Sequence, residues 1–183
     1  TVENAKKAAD MGVDMIVLTG NPGVGVDNRA ITKALADLNE AVGDRVILTA
    51  GKMHASGILS EAGEKILTKE DAETFIEAGA DVLLLPAPGT VPGFTMEHAA
   101  ELIKTAHEKG VLAMTTIGTS QEGADEETIR QIALMCKMAG ADIHHIGDSG
   151  YMGMALPENI TAYSVAIRGK RHTYRRMAMS LVR

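Results

Sequence analysis

A glycine precedes a short apolar run five times along the chain, and this repeat constrains the fold more than any other feature. The glycines are Gly12, Gly43, Gly79, Gly110 and Gly140, and they are 31, 36, 31 and 30 residues apart. Short continuous apolar runs are typical of strands that are buried on both faces. The repeat therefore predicts parallel strands that are joined by right-handed helical crossovers.

The residues between the apolar runs predict helices, because each segment begins at a residue that commonly caps a helix. The predicted strands are Met15–Thr19, Val46–Ala50, Val82–Leu85, Val111–Ile117 and Ile143–Ile146. The predicted caps are Thr1, Asp27 or Asn28, Thr68 in a capping box with Asp71, Thr95 and Asp125. Pro157 suits the first turn of a helix near 158–167, and Gly169 separates it from a final helix that starts at about Lys170.

Two architectures fit this order of elements: an open doubly wound sheet and a (β/α)8 barrel. The segment Gly20–Gly25 after the first run lacks the glycine spacing of a dinucleotide fingerprint, which favours the barrel. Five units occupy the 183 residues, whereas a complete barrel needs roughly 250. We predict an α/β fold of the (β/α)8 TIM-barrel type, here an incomplete barrel of about five C-terminal β/α units. Residues 1–183 would form one domain, a C-terminal fragment with a basic helical tail at about 158–183.

Charge is distributed unevenly along the chain. Residues 1–158 contain all 24 Asp and Glu with 12 Lys and Arg, a net charge of −12, and the last 25 residues contain six Lys and Arg and no acid. An acidic body argues against general nucleic-acid binding. The segment Arg168–Arg176 is either an RNA or anion patch or a solvated or subunit-contacting helix. We favour the second interpretation, and we expect a homo-oligomer and no nucleic-acid partner.

Cysteine content and hydropathy indicate the compartment in which the protein is expected to act. The single cysteine, Cys136, allows no intramolecular disulfide and suits a reducing cytoplasm, where we expect the protein to act. No apolar stretch approaches the ~20 residues that span a bilayer, so we expect no membrane partner. The expected partner is a small-molecule substrate.

The segments that follow the predicted strands are rich in glycine and polar residues, while those that precede them are short and plain. Gly51–His54, Gly118–Glu122 and Gly147–Gly150 follow strands, and Ala78–Asp81 and Ala139–Asp142 precede them. In both candidate architectures, ligands bind at the carboxyl ends of the strands. The pattern predicts a binding or active site at this edge of the sheet.

Lys52 and His54 are the first candidates for catalysis at this edge. A lysine at the end of a barrel strand forms a Schiff base when its pKa is lowered, or holds a phosphate or carboxylate as a point charge. A histidine titrates near neutral pH and serves as an acid or a base. Glu122 and Asp148 add carboxylates that could act as acid–base groups.

Two glycine-rich loops form a candidate anion site, because glycine lets backbone N–H groups approach a phosphate. The residues predicted to bind phosphate or substrate are Gly118, Thr119, Ser120, Gly147, Ser149 and Gly150. Barrel phosphate sites commonly use the loops after the last two strands, which is where these residues fall.

A metal site is a further hypothesis for the last strand and its loop. His144 and His145 are adjacent in a strand, so their side chains should point to opposite faces. With His54 and Glu122 or Asp148, the inward one could complete a site for a divalent metal such as Mg. The ligands are otherwise unknown, and His145 and Asp148 are the candidates. The alternative is a hydrogen-bonded structural histidine. No other cofactor is predicted.

Three resemblances to known families extend this interpretation. Ala80–Ala87, with Gly89 and Gly93, resembles the sixth-strand segment of the 2-keto-3-deoxy-6-phosphogluconate aldolase barrels. That family has a Schiff-base lysine three residues before the proline of the segment, and Leu83 stands there in this chain. The resemblance therefore implies the shape of such a barrel and not its mechanism.

The segment Ile146–Met152 resembles the final motif of haloacid-dehalogenase-like hydrolases, in which two acids help to bind Mg²⁺. Asp148 matches the first acid, but the second falls on Met152, and the chain contains no Asp-x-Asp nucleophile motif. Longer stretches that span nearly the whole chain resemble a bacterial family of uncharacterised barrel proteins, sometimes labelled haloacid-dehalogenase-like. These stretches are Ala50–Ala55, Leu85–Gly93, Ile117–Asp125, Ala141–Asp148 and Ile167–Arg176.

Three functions follow as hypotheses from these observations. The first is a TIM-barrel lyase, aldolase or isomerase that acts on a small phosphorylated or carboxylated metabolite. The second is a haloacid-dehalogenase-like, Mg-dependent phosphohydrolase that uses Asp148. The third is a non-catalytic ligand-binding barrel. The residues favour the first because the polar side chains collect at the edge where barrel enzymes carry their active sites.

Overall fold

In the computed structural model, five strands alternate with six helices over the residues that the structure describes, which are 1–55, 57–148, 150 and 153–179. The strands are β1 (Met15–Thr19), β2 (Ile47–Gly51), β3 (Val82–Pro86), β4 (Leu112–Ile117) and β5 (Ile143–Ile146). The helices are α1 (Val2–Asp10), α2 (Asn28–Val42), α3 (Lys69–Glu77), α4 (Met96–Glu108), α5 (Glu126–Ala139) and α6 (Pro157–Met179). Every predicted strand and helix is present, with ends shifted by one or two residues.

The strands form one parallel sheet in the order β1-β2-β3-β4-β5. In a doubly wound sheet the strand order reverses, which places helices on both faces. A sequential order with right-handed crossovers keeps every helix on one face and curves the sheet into an arc. The order therefore confirms the predicted barrel type, as a half-barrel of five strands.

The two faces of the sheet have different neighbours. Outward side chains such as Leu83 and Leu85 lie in the main core with Leu102 of α4 and Phe75 of α3, all of them buried. The inward face is lined by Val82, Leu84 and Met114, against which Met53 packs from the loop after β2. Since paired residues of parallel strands point to the same face, the register assigns each strand residue to one of these layers.

The predicted helix caps are confirmed by their hydrogen bonds. The Thr68 hydroxyl accepts from the Asp71 N–H at 3.2 Å, and the Asp71 carboxylate accepts from the Thr68 N–H at 3.0 Å. Asp27 and Asp125 each accept a backbone N–H of the first helical turn at 2.8 Å. These bonds satisfy donors that have no partner within the helix, and they fix where each loop ends.

An aspartate at the start of alternate strands joins each of these strands to the one before it. The Asp142 carboxylate accepts from the Ala113 N–H at 2.8 Å, and the Asp142 N–H donates to the Ala113 carbonyl at 3.0 Å. Asp81 makes the same reciprocal pair with Leu48, at 2.8 and 2.9 Å. Asp14 stands at the same place before β1, and its carboxylate accepts no hydrogen bond from the described residues. These pairs hold the register at the end of the sheet opposite the predicted site.

α6 is interrupted at Gly169, whose φ of 78° and ψ of 162° are not helical, and this confirms the predicted break. Its first half packs on α5. Its second half, 170–179, is exposed except for Thr173, whose hydroxyl lies 3.0 Å from that of Ser164. Among the described residues, no helix is both long enough and apolar enough to cross a membrane.

Candidate active site at the carboxyl ends of the strands

The loop after β4 has a strained backbone at two consecutive residues. Thr119 and Ser120 have φ values of 58° and 73°, in the left-handed region that residues other than glycine rarely adopt. A β-branched residue such as threonine is especially unfavourable there, and strain of this kind clusters at functional sites. The Thr119 hydroxyl holds the turn by donating to the Thr90 carbonyl at 2.7 Å, and it also lies 2.6 Å from the Gly118 carbonyl.

This strained turn leaves backbone donors without acceptors. Among the described residues, no acceptor receives the N–H of Gly118, Thr119 or Ser120. N–H groups of successive residues in a turn commonly bind anions. The geometry of this loop is therefore compatible with phosphate binding, which stays a prediction.

Glu122 follows the strained turn, within a 3-10 turn at Gln121–Gly123. Its Oε2 atom is buried and has no hydrogen-bond partner among the described residues. A Cβ added at Gly147, in the loop after β5, would lie 3.5 Å from the Glu122 Cγ, so the two loops meet at this side chain. Buried polar atoms almost always have a hydrogen-bond partner, so this oxygen marks Glu122 as a candidate functional group.

Asn159 fixes the backbone around Glu122. Its side chain is 3% exposed, and its Nδ2 donates to the carbonyls of Glu122 and Ala124, both at 2.9 Å. The first turn of α6 is thereby tied to the loop after β4. No feature of the sequence singled out Asn159, because its role depends on a contact across 37 residues.

Asp148 closes its own loop. Its carboxylate accepts from the N–H of Gly150 at 3.0 Å and from the N–H of Gly153 at 2.7 Å, and these bonds lower its pKa. The Gly147 N–H donates to the Ile117 carbonyl at 2.9 Å and so continues the sheet. Two of the predicted anion donors, Gly147 and Gly150, are thus already paired, and Ser149 lies outside the described residues.

Lys52, the first catalytic candidate, is buried and forms an ion pair with the half-buried Glu61. Its side chain is 3% exposed, and its Nζ donates to Glu61 at 2.9 Å. A Cβ added at Gly20 would lie 2.7 Å from the Lys52 Cγ and 3.0 Å from Ile31 of α2, so the lysine stem passes on the helix side of the sheet. The ion pair closes the loop after β2 and points away from the inward face. The pairing with Glu61 could not be foreseen from the sequence.

The histidines are divided between the two faces as predicted. By register, His145 shares the inward face with Thr116, and His144 shares the outward face with Thr115. Desolvation lowers the pKa of both imidazoles, and the charge of Arg168 lowers that of His144 further. His144 Nδ1 and the Tyr163 hydroxyl share a hydrogen bond at 2.8 Å, which makes His144 a structural histidine.

His54 is half-buried in the loop after β2. Its predicted role as an acid or base stays a prediction, as do those of the other site residues.

The predicted metal site has His145 and Asp148 as its candidate ligands. No three His, Cys, Asp or Glu side chains converge as ligands among the described residues. The Asp148 oxygens accept hydrogen bonds from backbone N–H groups of their own loop. The use of a divalent metal stays a hypothesis without a ligand set.

Comparison with known proteins places the chain in a family. All of its residues, 1–183, match the family described as "Domain of unknown function (DUF7916)". The chain belongs to the DUF7916 family. Neither the curated relative nor the aldolase structures that this chain resembles is a haloacid-dehalogenase-like hydrolase.

One curated relative shares part of the DUF7916 sequence. It is named "Putative N-acetylmannosamine-6-phosphate 2-epimerase", from Haemophilus influenzae, and is 34% identical over 89 residues. This match covers 49% of the chain and 33% of the epimerase. The matched half of the chain therefore corresponds to about a third of that relative.

Solved structures confirm the fold. The deoxyribose phosphate aldolase from Aeropyrum pernix matches with a TM-score of 0.64 and 20% identity, over 91% of this chain and 65% of that chain. An archaeal fructose 1,6-bisphosphate aldolase matches with a TM-score of 0.65 and 18% identity, over 90% of this chain and 62% of that chain. The chain spans less than two thirds of these aldolases, and at such identities the likeness shows the barrel fold alone.

Proposed function

We propose that the carboxyl edge of the sheet binds a small phosphorylated or carboxylated metabolite and carries out lyase or isomerase chemistry. The observation that carries the proposal is the strained turn at Thr119 and Ser120. Left-handed backbone of this kind costs of the order of 1–3 kcal/mol per residue and persists where the surrounding structure enforces it. Its N–H groups, which have no acceptor among the described residues, lie at the end of the barrel where phosphate sites are commonly built.

Glu122 is the acid–base group of the proposal. Its buried Oε2, which has no partner among the described residues, adjoins the loop that would hold the anion, and Asn159 keeps its backbone in place. Isomerisation and carbon–carbon cleavage next to a carbonyl both need a proton to be removed and returned by a positioned group. His54, in the loop after β2, is the second acid–base candidate of this site.

Lys52 acts in this proposal as a positioning residue. Its pair with Glu61 holds the loop after β2 closed, and its direction towards α2 separates it from the inward face. A Schiff base would require Lys52 to leave Glu61 and lose its proton. Sodium borohydride with dihydroxyacetone phosphate distinguishes the two roles by mass spectrometry, and an adduct on Lys52 would establish the aldolase version instead.

The names of the similar proteins suggest which substrates to test first. They are N-acetylmannosamine 6-phosphate, deoxyribose phosphate and fructose 1,6-bisphosphate. We also propose that the protein acts in the cytoplasm as a homo-oligomer without nucleic acid.

The test compares Glu122→Gln with Glu127→Gln, since Glu127 is an exposed carboxylate on α5. We expect Glu122→Gln to lower the turnover of a sugar phosphate at least about 100-fold, because general acid–base catalysis is commonly worth that much. Phosphate binding, measured by calorimetry, should persist in both variants. Binding without turnover in the unmodified protein would indicate a ligand-binding barrel, and equal turnover in both variants would remove Glu122 from the mechanism.

A further inference from the structure

The helices on the outer surface differ in net charge. α1, α2 and α5 each carry two basic and two acidic residues and are neutral. α3 and α4 together carry two basic and seven acidic residues, a net charge of −5, and α6 carries five basic and one acidic, a net charge of +4. Since α5 packs between α4 and α6, the surface is acidic on one side of α5 and basic on the other.

The basic side has cations without carboxylate partners. Among the described residues, no ion pair includes Lys170, Arg171, Arg175 or Arg176. Arg171 and Arg175 are one helical turn apart, and like charges at this spacing destabilise a helix. The second half of α6 buries only Thr173, so a partner of opposite charge would stabilise it.

Carboxylates on the acidic side also lack cationic partners among the described residues. Glu77 on α3 and Glu97 and Glu101 on α4 are exposed, and none of them forms an ion pair with the described residues. The helix packing within one chain places α5 between these carboxylates and the basic half of α6. The two charged sides therefore meet only between molecules.

Two large apolar side chains are exposed on α5, among its polar residues, between the charged sides. Leu134 and Met138 are one turn apart on α5 and are 47% and 70% exposed. An apolar centre with a charged rim is the usual anatomy of a protein interface.

We propose that this surface, with α5 at its centre and α3, α4 and α6 at its rim, is a twofold interface between two copies of the chain. A twofold axis along α5 places α5 on α5 and brings α4 of each copy against α6 of the other. Every charged side then faces its opposite, which an isologous contact requires. The body of the chain, with its net charge of −12, disfavours nucleic acid and anionic membranes as occupants. The inference rests on the proposed homo-oligomer and not on the proposed chemistry.

The test measures molar mass by light scattering and sedimentation at low and high salt. We expect a dimer whose dissociation constant rises with salt and rises at least about tenfold in K170E/R171E/R175E, because like charges then face each other. The control K6E/K65E/K109E makes the same change in net charge on exposed body lysines and should remain dimeric. Circular dichroism and thermal melting check that each variant is folded.

A charge exchange completes the test. E77K/E97K/E101K alone should also dissociate, and mixing it with K170E/R171E/R175E should restore a mixed dimer. A monomeric unmodified protein, equal dissociation of the control, or failure of the mixture to associate would overturn the inference. Tight binding of the basic helix to RNA or to anionic vesicles, with no dimer, would assign the surface to those partners instead. None of these outcomes depends on turnover, so the proposed chemistry would be judged separately.

Discussion

Replacement of Asp142 tests whether the strand-start aspartates hold the sheet register. Asp142→Ala removes the acceptor of the Ala113 N–H at 2.8 Å and of His107 Nε2 at 2.8 Å. Ala113 is fully buried, so its N–H would lose a partner without gaining water, at a cost of about 1–3 kcal/mol. The His107 contact is partly exposed and adds little. Urea unfolding at pH 7, followed by circular dichroism, measures the loss of unfolding free energy.

Asp14→Ala is the matched control, because Asp14 occupies the same place before β1 and its carboxylate is exposed without a partner among the described residues. Its effect should lie within about 0.5 kcal/mol. Asp142→Asn keeps an oxygen that can accept from Ala113 and should lose less than Asp142→Ala. Equal unfolding free energies for Asp142→Ala and Asp14→Ala would refute the reasoning.

The same aspartate predicts a pH dependence. Desolvation raises the pKa of Asp142, but hydrogen bonds from His107 and the Ala113 N–H outweigh it, and the pKa is lowered below 3.8. A carboxyl whose pKa is lower in the folded state contributes stability above its unfolded pKa. That contribution is lost as the pH falls through the folded pKa. Asp142→Asn should therefore flatten the stability curve below about pH 4.

Three further substitutions test the site and the core. Ser120→Gly should raise the unfolding free energy by about 1 kcal/mol, because glycine adopts a φ of 73° without the cost that other residues incur. Ser120→Ala should not raise it. Equal melting temperatures for the two variants would show that the turn is unstrained. Gly20→Ala should lower the unfolding free energy in urea by about 1–3 kcal/mol, since the added Cβ would lie 2.7 Å from the Lys52 Cγ. Gly118→Ala is the control, because its Cβ meets nothing within 4 Å, and it should be neutral. A neutral Gly20→Ala would mean that Lys52 repacks freely. Asn159→Ala should lower the unfolding free energy by about 1–3 kcal/mol, because the carbonyls of Glu122 and Ala124 lose their donor. A loss below about 0.5 kcal/mol would show that water replaces the amide.

Much of the fold could be predicted because local signals set it. The glycine-led apolar runs located all five strands, and the caps at Thr68 and Asp125 located the starts of their helices to the residue. A cap forms its hydrogen bonds within a few residues, so its partners are close together in the chain. The break at Gly169 was predictable because glycine readily adopts a positive φ, here 78°, which interrupts a helix.

The position of the candidate site could be predicted from the sequence, but the contacts of its side chains could not. Its position at the carboxyl ends of the strands follows from the alternation of strands and helices. The partners of its side chains do not, because Glu61 meets Lys52 and Asn159 meets Glu122 only after loops and helices have packed. The left-handed backbone of Thr119 and Ser120 carries no local signal, since neither residue type favours it.

By itself, the sequence determined the order of the elements and the helix caps. It also determined that the loops rich in glycine and polar residues lie at one edge of the sheet. These depend on hydrophobic period and on hydrogen bonds between near neighbours in the chain. Tertiary structure decided that the Lys52 side chain points to the helix side and that Asp148 bonds to its own loop. It also left the Glu122 Oε2 atom buried without a partner among the described residues. The physical reason is that burial and the supply of donors around a side chain are set by segments far apart in sequence.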